Sequence, residues 1–114
     1  MGALLSSQEL AESMGITLYK VRRYTKAGIL APMSRDRKDG KTLLYDPRCV
    51  EIQLEILYRL SLDYSKKDLG EIFKRVFGRR NAALVRALES TGDKEEIISK
   101  FLREIESLTG GGKP

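Results

Sequence analysis

Between Ser6 and Gly28 the chain spells out two short helices in succession, each with its own start and stop. Ser6-Ser7-Gln8-Glu9 is a capping box: the first serine takes a backbone N–H of the opening turn and the glutamate reaches back to it. Leu10, Ala11 and Met14 follow on one face, and Gly15 offers the left-handed residue that closes such a helix. Ile16 is the apolar plug of the connection. Thr17 caps a second helix predicted from Leu18 to Ala27 and ended by Gly28. On that helix Leu18, Val21 and either Tyr24 or Thr25 point inward, which leaves Tyr19, Lys20, Arg22, Arg23 and Lys26 outside.

Ile29 and Leu30 re-enter the core, and Pro32 ends regular structure. The polar run from Ser34 to Lys41 contains Asp39-Gly40, a strong hairpin-turn signal, and Leu43, Leu44 and Tyr45 supply the returning strand. The product is a small β-hairpin with a basic tip. Asp46-Pro47 starts a third helix, a cap followed by proline at the first helical position, running to about residue 62. Val50, Leu54, Leu57 and Ser61 share its inner face, with Ile56 and Leu60 alongside. Ser65 and Asp68 open a fourth helix with Leu69, Ile72, Phe73, Val76 and Phe77 on its apolar side, and Gly78 ends it. A fifth short helix is expected over about 81–89, carrying Leu84, Val85 and Leu88. Asp93 caps a last one reaching about Leu108. There Ile98, Phe101, Ile105 and Leu108 follow the alternating three-four spacing of a helix-pairing seam, for a second copy of the chain or for its own core. The glycine-rich residues 110–114 read as a flexible tail.

The net charge of +5 over 114 residues is unevenly spread. From Leu18 to Arg48, nine basic residues stand against Asp36, Asp39 and Asp46, giving 9 − 3 = +6 and leaving −1 for the remainder. A second basic cluster, from Lys66 to Arg86, includes Lys67, Lys74, Arg75, Arg79 and Arg80. Clustered positive charge is what a polyanionic partner requires. Cys49 is the single cysteine and histidine is absent, so an internal disulfide and a Cys/His zinc site are excluded, along with imidazole-based catalysis. No nucleophile–base pair or phosphate loop stands out; the chain is expected to be no enzyme and to need no cofactor or metal. No apolar run nears the roughly 20 residues of a membrane span. Met1-Gly2-Ala3-Leu4-Leu5-Ser6 matches an N-myristoylation pattern, but nothing else points to a membrane. A cytoplasmic, nucleoid-associated protein is the simpler expectation.

Helix, glycine-containing turn, second helix and basic hairpin, in that order, are the parts of a winged helix-turn-helix. Glu9-Leu10-Ala11, Gly15-Ile16-Thr17-Leu18, Val21-Arg22 with Tyr24, and Gly28-Ile29-Leu30 with Pro32 resemble, without a gap, the opening of MerR-family transcription regulators. The consensus there reads E-L-A, G-V-S-V, L-R-Y-Y and G-L-L-x-P. Leu62-Asp63-Tyr64-Ser65 is similar to that family's L-G-F-S, which opens its fourth helix. The likeness covers roughly Leu5 to Val76. It implies a mainly α fold: a MerR-like winged DNA-binding domain over 5–78, with a small hairpin wing, and a helical segment over 79–109 suited to dimerisation. It also implies contacts to double-stranded DNA from Thr17, Tyr19, Lys20, Arg22, Arg23 and Lys26 on the second helix. The wing would add Arg35, Arg37, Lys38, Lys41 and Tyr45, and the fourth helix Lys66 and Lys67. Tyr19 either reads bases or packs on the wing.

The chain departs from the pattern at Arg23, where the family has tyrosine, and in Gly40-Lys41-Thr42-Leu43-Leu44-Tyr45, one residue longer than the family's G-Y-R-x-Y and without its arginine. The family's long dimerisation helix, metal-sensing cysteines and drug-binding domain have no counterpart. The resemblance implies a homodimeric regulator that acts on promoter DNA beside RNA polymerase by bending and untwisting it. The short C-terminal part leaves two alternatives: an excisionase-like or architectural DNA binder, and a protein-binding adaptor.

Overall fold

In the computed structural model, which describes residues 3–110, both capped helices form where their signals lie. Helix α1 (Ser7–Met14) carries the complete capping box, with Glu9 N–H donating to Ser6 Oγ at 3.2 Å and Ser6 N–H donating to Glu9 Oε1 at 2.9 Å. Gly15 closes it at φ +69°, a conformation that costs glycine little. Helix α2 (Leu18–Ala27) is capped by Thr17 and closed by Gly28 at φ +87°. Its Val21 and Tyr24 are buried, while Leu18 and Thr25 are half-buried. The glycine of the myristoylation pattern, and residues 111–114 of the tail, lie outside the described residues.

The hairpin forms from β2 (Ser34–Arg35) and β3 (Leu43–Tyr45), antiparallel with Ser34 opposite Leu44 and Arg35 opposite Leu43. A third strand, β1 (Leu5–Ser6), pairs with the other edge of β3, so the sheet order is β1-β3-β2. Two residues are too few to show a period-2 pattern, which is why this strand leaves no mark in the sequence. Its effect is to clamp the returning strand against the start of α1.

Helix α3 (Pro47–Leu60) is the central element. Cys49, Val50, Ile52, Gln53, Leu54, Ile56 and Leu57 are all buried, so the helix is covered on most of its circumference; Ser61, expected on the inner face, is exposed. Helix α4 (Lys66–Phe77) packs against α2, then a single 3₁₀ turn (Arg79–Asn81) leads into α5 (Ala82–Ser90), and α6 (Lys94–Leu108) returns across α3, α4 and α5. Ile98, Phe101 and Ile105 are wholly buried in the core that also holds Leu10, Val21, Ile56 and Phe73. Phe101 meets Phe77 edge-on at 4.9 Å between ring centroids, and Phe77 meets Phe73 in the same way at 5.1 Å. The three-four seam is therefore an intramolecular one, and only Leu108 of its four residues is left exposed. The architecture is mainly helical with a small three-stranded antiparallel sheet.

Candidate nucleic-acid interface

Thr17 sits at the start of the exposed α2 face, with its hydroxyl accepting the Lys20 N–H at 3.1 Å. Fixing that first turn fixes the directions of Tyr19, Lys20, Arg22, Arg23 and Lys26, all of which are exposed. Tyr19 keeps 69% of its surface open, and the Arg23 guanidinium stands 6.0 Å from its ring centroid. The tyrosine thus stacks along its own helix and is not covered by the hairpin. Positions 19, 22, 23 and 26 follow the i, i+3, i+4, i+7 spacing of one helix face.

The hairpin tip presents Arg37, Lys38 and Lys41 to solvent, and its loop is held from within by aspartates. Asp36 N–H donates to Thr42 O and Gly40 N–H to Asp36 O, both at 2.8 Å. Asp39 Oδ1 accepts Lys41 N–H at 2.8 Å and Thr42 N–H at 2.9 Å, while Asp39 Oδ2 accepts the Thr42 hydroxyl at 2.5 Å. Arg35 is exposed but turns its Nη1 onto Lys41 O at 3.3 Å, bracing the hairpin. The Asp39–Gly40 signal thus specifies a wider loop knotted by one carboxylate, and not a two-residue turn.

The hydrogen bonds from the Thr42 side chain, the Thr42 N–H and the Lys41 N–H hold the Asp39 carboxyl down from 3.8 to about 2. A carboxyl whose folded pKa lies below its unfolded one contributes order that is complete above the unfolded value and is lost as pH falls through the folded one. The tip is therefore expected to stay ordered at pH 4 and above and to loosen as pH falls toward 2. Amide shifts of Lys41 and Thr42 should titrate with a midpoint near 2. Asp39→Ala should abolish that transition and leave the tip loose at every pH. A titration midpoint at the ordinary 3.8 would contradict the loop geometry.

Tyr45 does not belong to the surface. It is 1% exposed, and its hydroxyl lies 2.8 Å from Thr25 Oγ1, which in turn donates to Val21 O. Strand alternation turns it inward, where the phenol hydroxyl needs a buried partner, so it joins β3 to α2 instead of facing DNA. Arg48 also leaves the basic run: it bridges the N-cap Asp46 at 2.8 Å. Burial pushes the Asp46 carboxyl up, but the donors of Arg48 outweigh it and the net shift is downward. Lys66 and Lys67 are exposed at the start of α4, and Lys66 Nζ stands 5.7 Å from the Tyr24 ring centroid, beside α2.

Among the described residues the salt bridges engage Arg48, Arg59, Lys94 and Lys100. None engages Lys20, Arg22, Arg23, Lys26, Arg37, Lys38, Lys41, Lys66 or Lys67. Their positive charge is uncompensated by the protein and open to an external anion. Cys49 lies buried in α3, and burial, followed by the nearby Asp46 charge, pushes its thiol up to about 12. It remains protonated at neutral pH and is not a reactive thiol. Among the described residues no helix is long and apolar enough to cross a membrane.

No family model, curated protein or solved structure matches this chain.

Proposed function

We propose that the chain is a winged helix-turn-helix protein that binds double-stranded DNA and regulates transcription in the manner of MerR-type proteins. The observation that carries this reading is the unpaired cationic face of α2, held at a fixed angle to a hairpin with an unpaired cationic tip. A helix with exposed polar and basic side chains fits the major groove, whose base edges carry a distinguishable donor and acceptor code. Arg37, Lys38 and Lys41 suit neighbouring phosphates, and Lys66 and Lys67 suit flanking ones. Lys20 and Arg22 are the assigned readers of base edges. The retained basic helix speaks against a protein-binding adaptor.

A regulator of this type covers two half-sites as a homodimer, and the enclosure of Ile98, Phe101 and Ile105 in the chain's own core removes the seam that would have paired the copies. This favours a second reading, an architectural or excisionase-like DNA binder acting as a monomer. Binding to DNA fragments selected from a random pool separates the two. Two inverted half-sites with a dimeric complex in sedimentation support the regulator; a single half-site bound by a monomer supports the architectural protein.

Affinity is expected to fall steeply with salt, at a log–log slope of about −0.9 per phosphate neutralised. Lys20→Ala or Arg22→Ala should cost about 1–3 kcal/mol on the selected site and relax preference at one position. Arg37→Ala or Lys38→Ala should weaken all sequences alike and reduce the salt slope by about 1. Affinity indifferent to salt would remove DNA binding, and uniform weakening by both sets of variants would remove α2 as the reader.

A further inference from the structure

A cavity of about 350 Å³ opens between the end of α2, the middle of α3, the last turn of α4 and the 3₁₀ turn that follows. It belongs neither to the α2 face nor to the hairpin. Gln53 of α3, only 1% exposed, lines it, and its Nε2 donates to Asn81 Oδ1 at 2.9 Å. Asn81 Nδ2 in turn donates to the main-chain oxygen of Ala31 at 3.2 Å. That carbonyl can only accept, so it sets the orientation of the Asn81 amide, and Asn81 sets that of Gln53. The Gln53 carbonyl oxygen is left over. Among the described residues it is the one buried side-chain oxygen or nitrogen without a hydrogen-bond partner. A buried acceptor in that condition is a standing demand for a donor.

The rim supplies a complementary charge. Lys74, Arg79 and Arg80 line the same cavity, all three are exposed, and none is in a salt bridge among the described residues. Arg80 and Asn81 both hold left-handed backbone, at φ 53° and 55°, a conformation uncommon for arginine. With the Asn81 side chain turned toward Gln53 and Ala31, it makes no capping bond to α5. The polar arrangement thus faces the cavity and not the helix it precedes. The volume lies at the lower end of the range for small-molecule sites.

We propose that this cavity binds a small phosphorylated hydroxyl compound, a sugar or polyol phosphate. Its phosphate lies against Lys74, Arg79 and Arg80, and a hydroxyl donates to the Gln53 carbonyl oxygen. Guanidinium and ammonium donors match phosphate oxygens, and the buried acceptor discriminates a hydroxyl-bearing ester from a bare anion. The proposal does not depend on DNA binding.

The full chain, isotopically labelled, is titrated by NMR with glycerol 3-phosphate and with methyl phosphate, which has the anion but no free hydroxyl. Glycerol 3-phosphate is expected to bind about tenfold more tightly or better, with shifts centred on Gly28, Gln53 and 78–81. Arg79→Ala with Arg80→Ala, at exposed positions that leave the core untouched, should weaken both ligands by about tenfold or more. Gln53→Met should erase the preference for glycerol 3-phosphate while leaving methyl phosphate binding in place. Equal binding of the two esters to the wild type, shifts centred on α2 and the hairpin, no binding at all, or an arginine double variant that binds as wild type would each overturn the site. Should Gln53→Met fail to fold, the ester comparison and the double variant decide it alone.

Discussion

Phe101→Ala is expected to destabilise the protein by about 3–5 kcal/mol, the usual cost of emptying a buried phenylalanine site. Single domains hold about 5–15 kcal/mol in total, so the variant should unfold far more readily than the wild type and could lose its structure near body temperature. The side chain is wholly enclosed and packs edge-on against Phe77, which continues the stack to Phe73. Truncation therefore leaves a void bordered by rings from α4 that cannot collapse into it without shifting their helix. Urea denaturation measures the loss directly. Its dependence on protein concentration carries a second result. A core residue costs the same at every concentration, whereas a dimer-interface residue costs more as the protein is diluted. Loss of less than about 1 kcal/mol, or a loss that grows on dilution, would mean that α6 does not close over the chain's own core.

Gly70→Ala should be the most damaging of the glycine substitutions. A Cβ built on Gly70 would stand 1.8 Å from the Ala27 carbonyl oxygen and 3.0 Å from its carbon. Both atoms are backbone and cannot swing aside as a lysine tip can. Two effects oppose each other. Alanine is favoured over glycine inside a helix by about 1 kcal/mol, while overpacking costs about 1–3 kcal/mol and more where the neighbour is rigid. The clash wins, with a net loss of about 2 kcal/mol and α4 pushed off the end of α2. Because Tyr24 and Thr25 hold Lys66 and the hairpin to that helix, the displacement should also weaken DNA binding. The check is a denaturation midpoint together with a DNA titration on the folded fraction. An unchanged or raised midpoint would mean that helix propensity outweighs the contact and that the two helices have room to spare.

The helix boundaries were legible because their signals act over three or four residues. Ser6 with Glu9, Thr17, Asp46-Pro47, Ser65 with Asp68, and Asp93 mark the starts, and Gly15, Gly28 and Gly78 mark ends. A cap is a contact between near neighbours, so it is written in the sequence and needs no tertiary information. The outward face of α2 was legible for the same reason, since helical periodicity alone separates Val21 and Tyr24 from Lys20, Arg22, Arg23 and Lys26.

Three features were decided only by the tertiary structure. Tyr45 reads as a wing residue until Thr25 is found 2.8 Å from its hydroxyl, across twenty positions of chain. The seam on α6 has the spacing of a pairing surface whether its partner is another copy or the chain itself, because the pattern records that a stripe is buried and not what buries it. Gln53 shows no signal at all. It is a polar residue in an apolar helix whose meaning depends on Asn81, twenty-eight positions away, and on an orphaned oxygen that exists only once both are packed. Local chemistry determined where each helix begins and which face of α2 stays wet. Long-range packing determined what covers the last helix, which tyrosine stays inside, and where a buried acceptor lacks a donor. The physical division is one of range: hydrogen bonds between near neighbours are set by adjacent residues, whereas burial belongs to whatever the finished chain brings alongside.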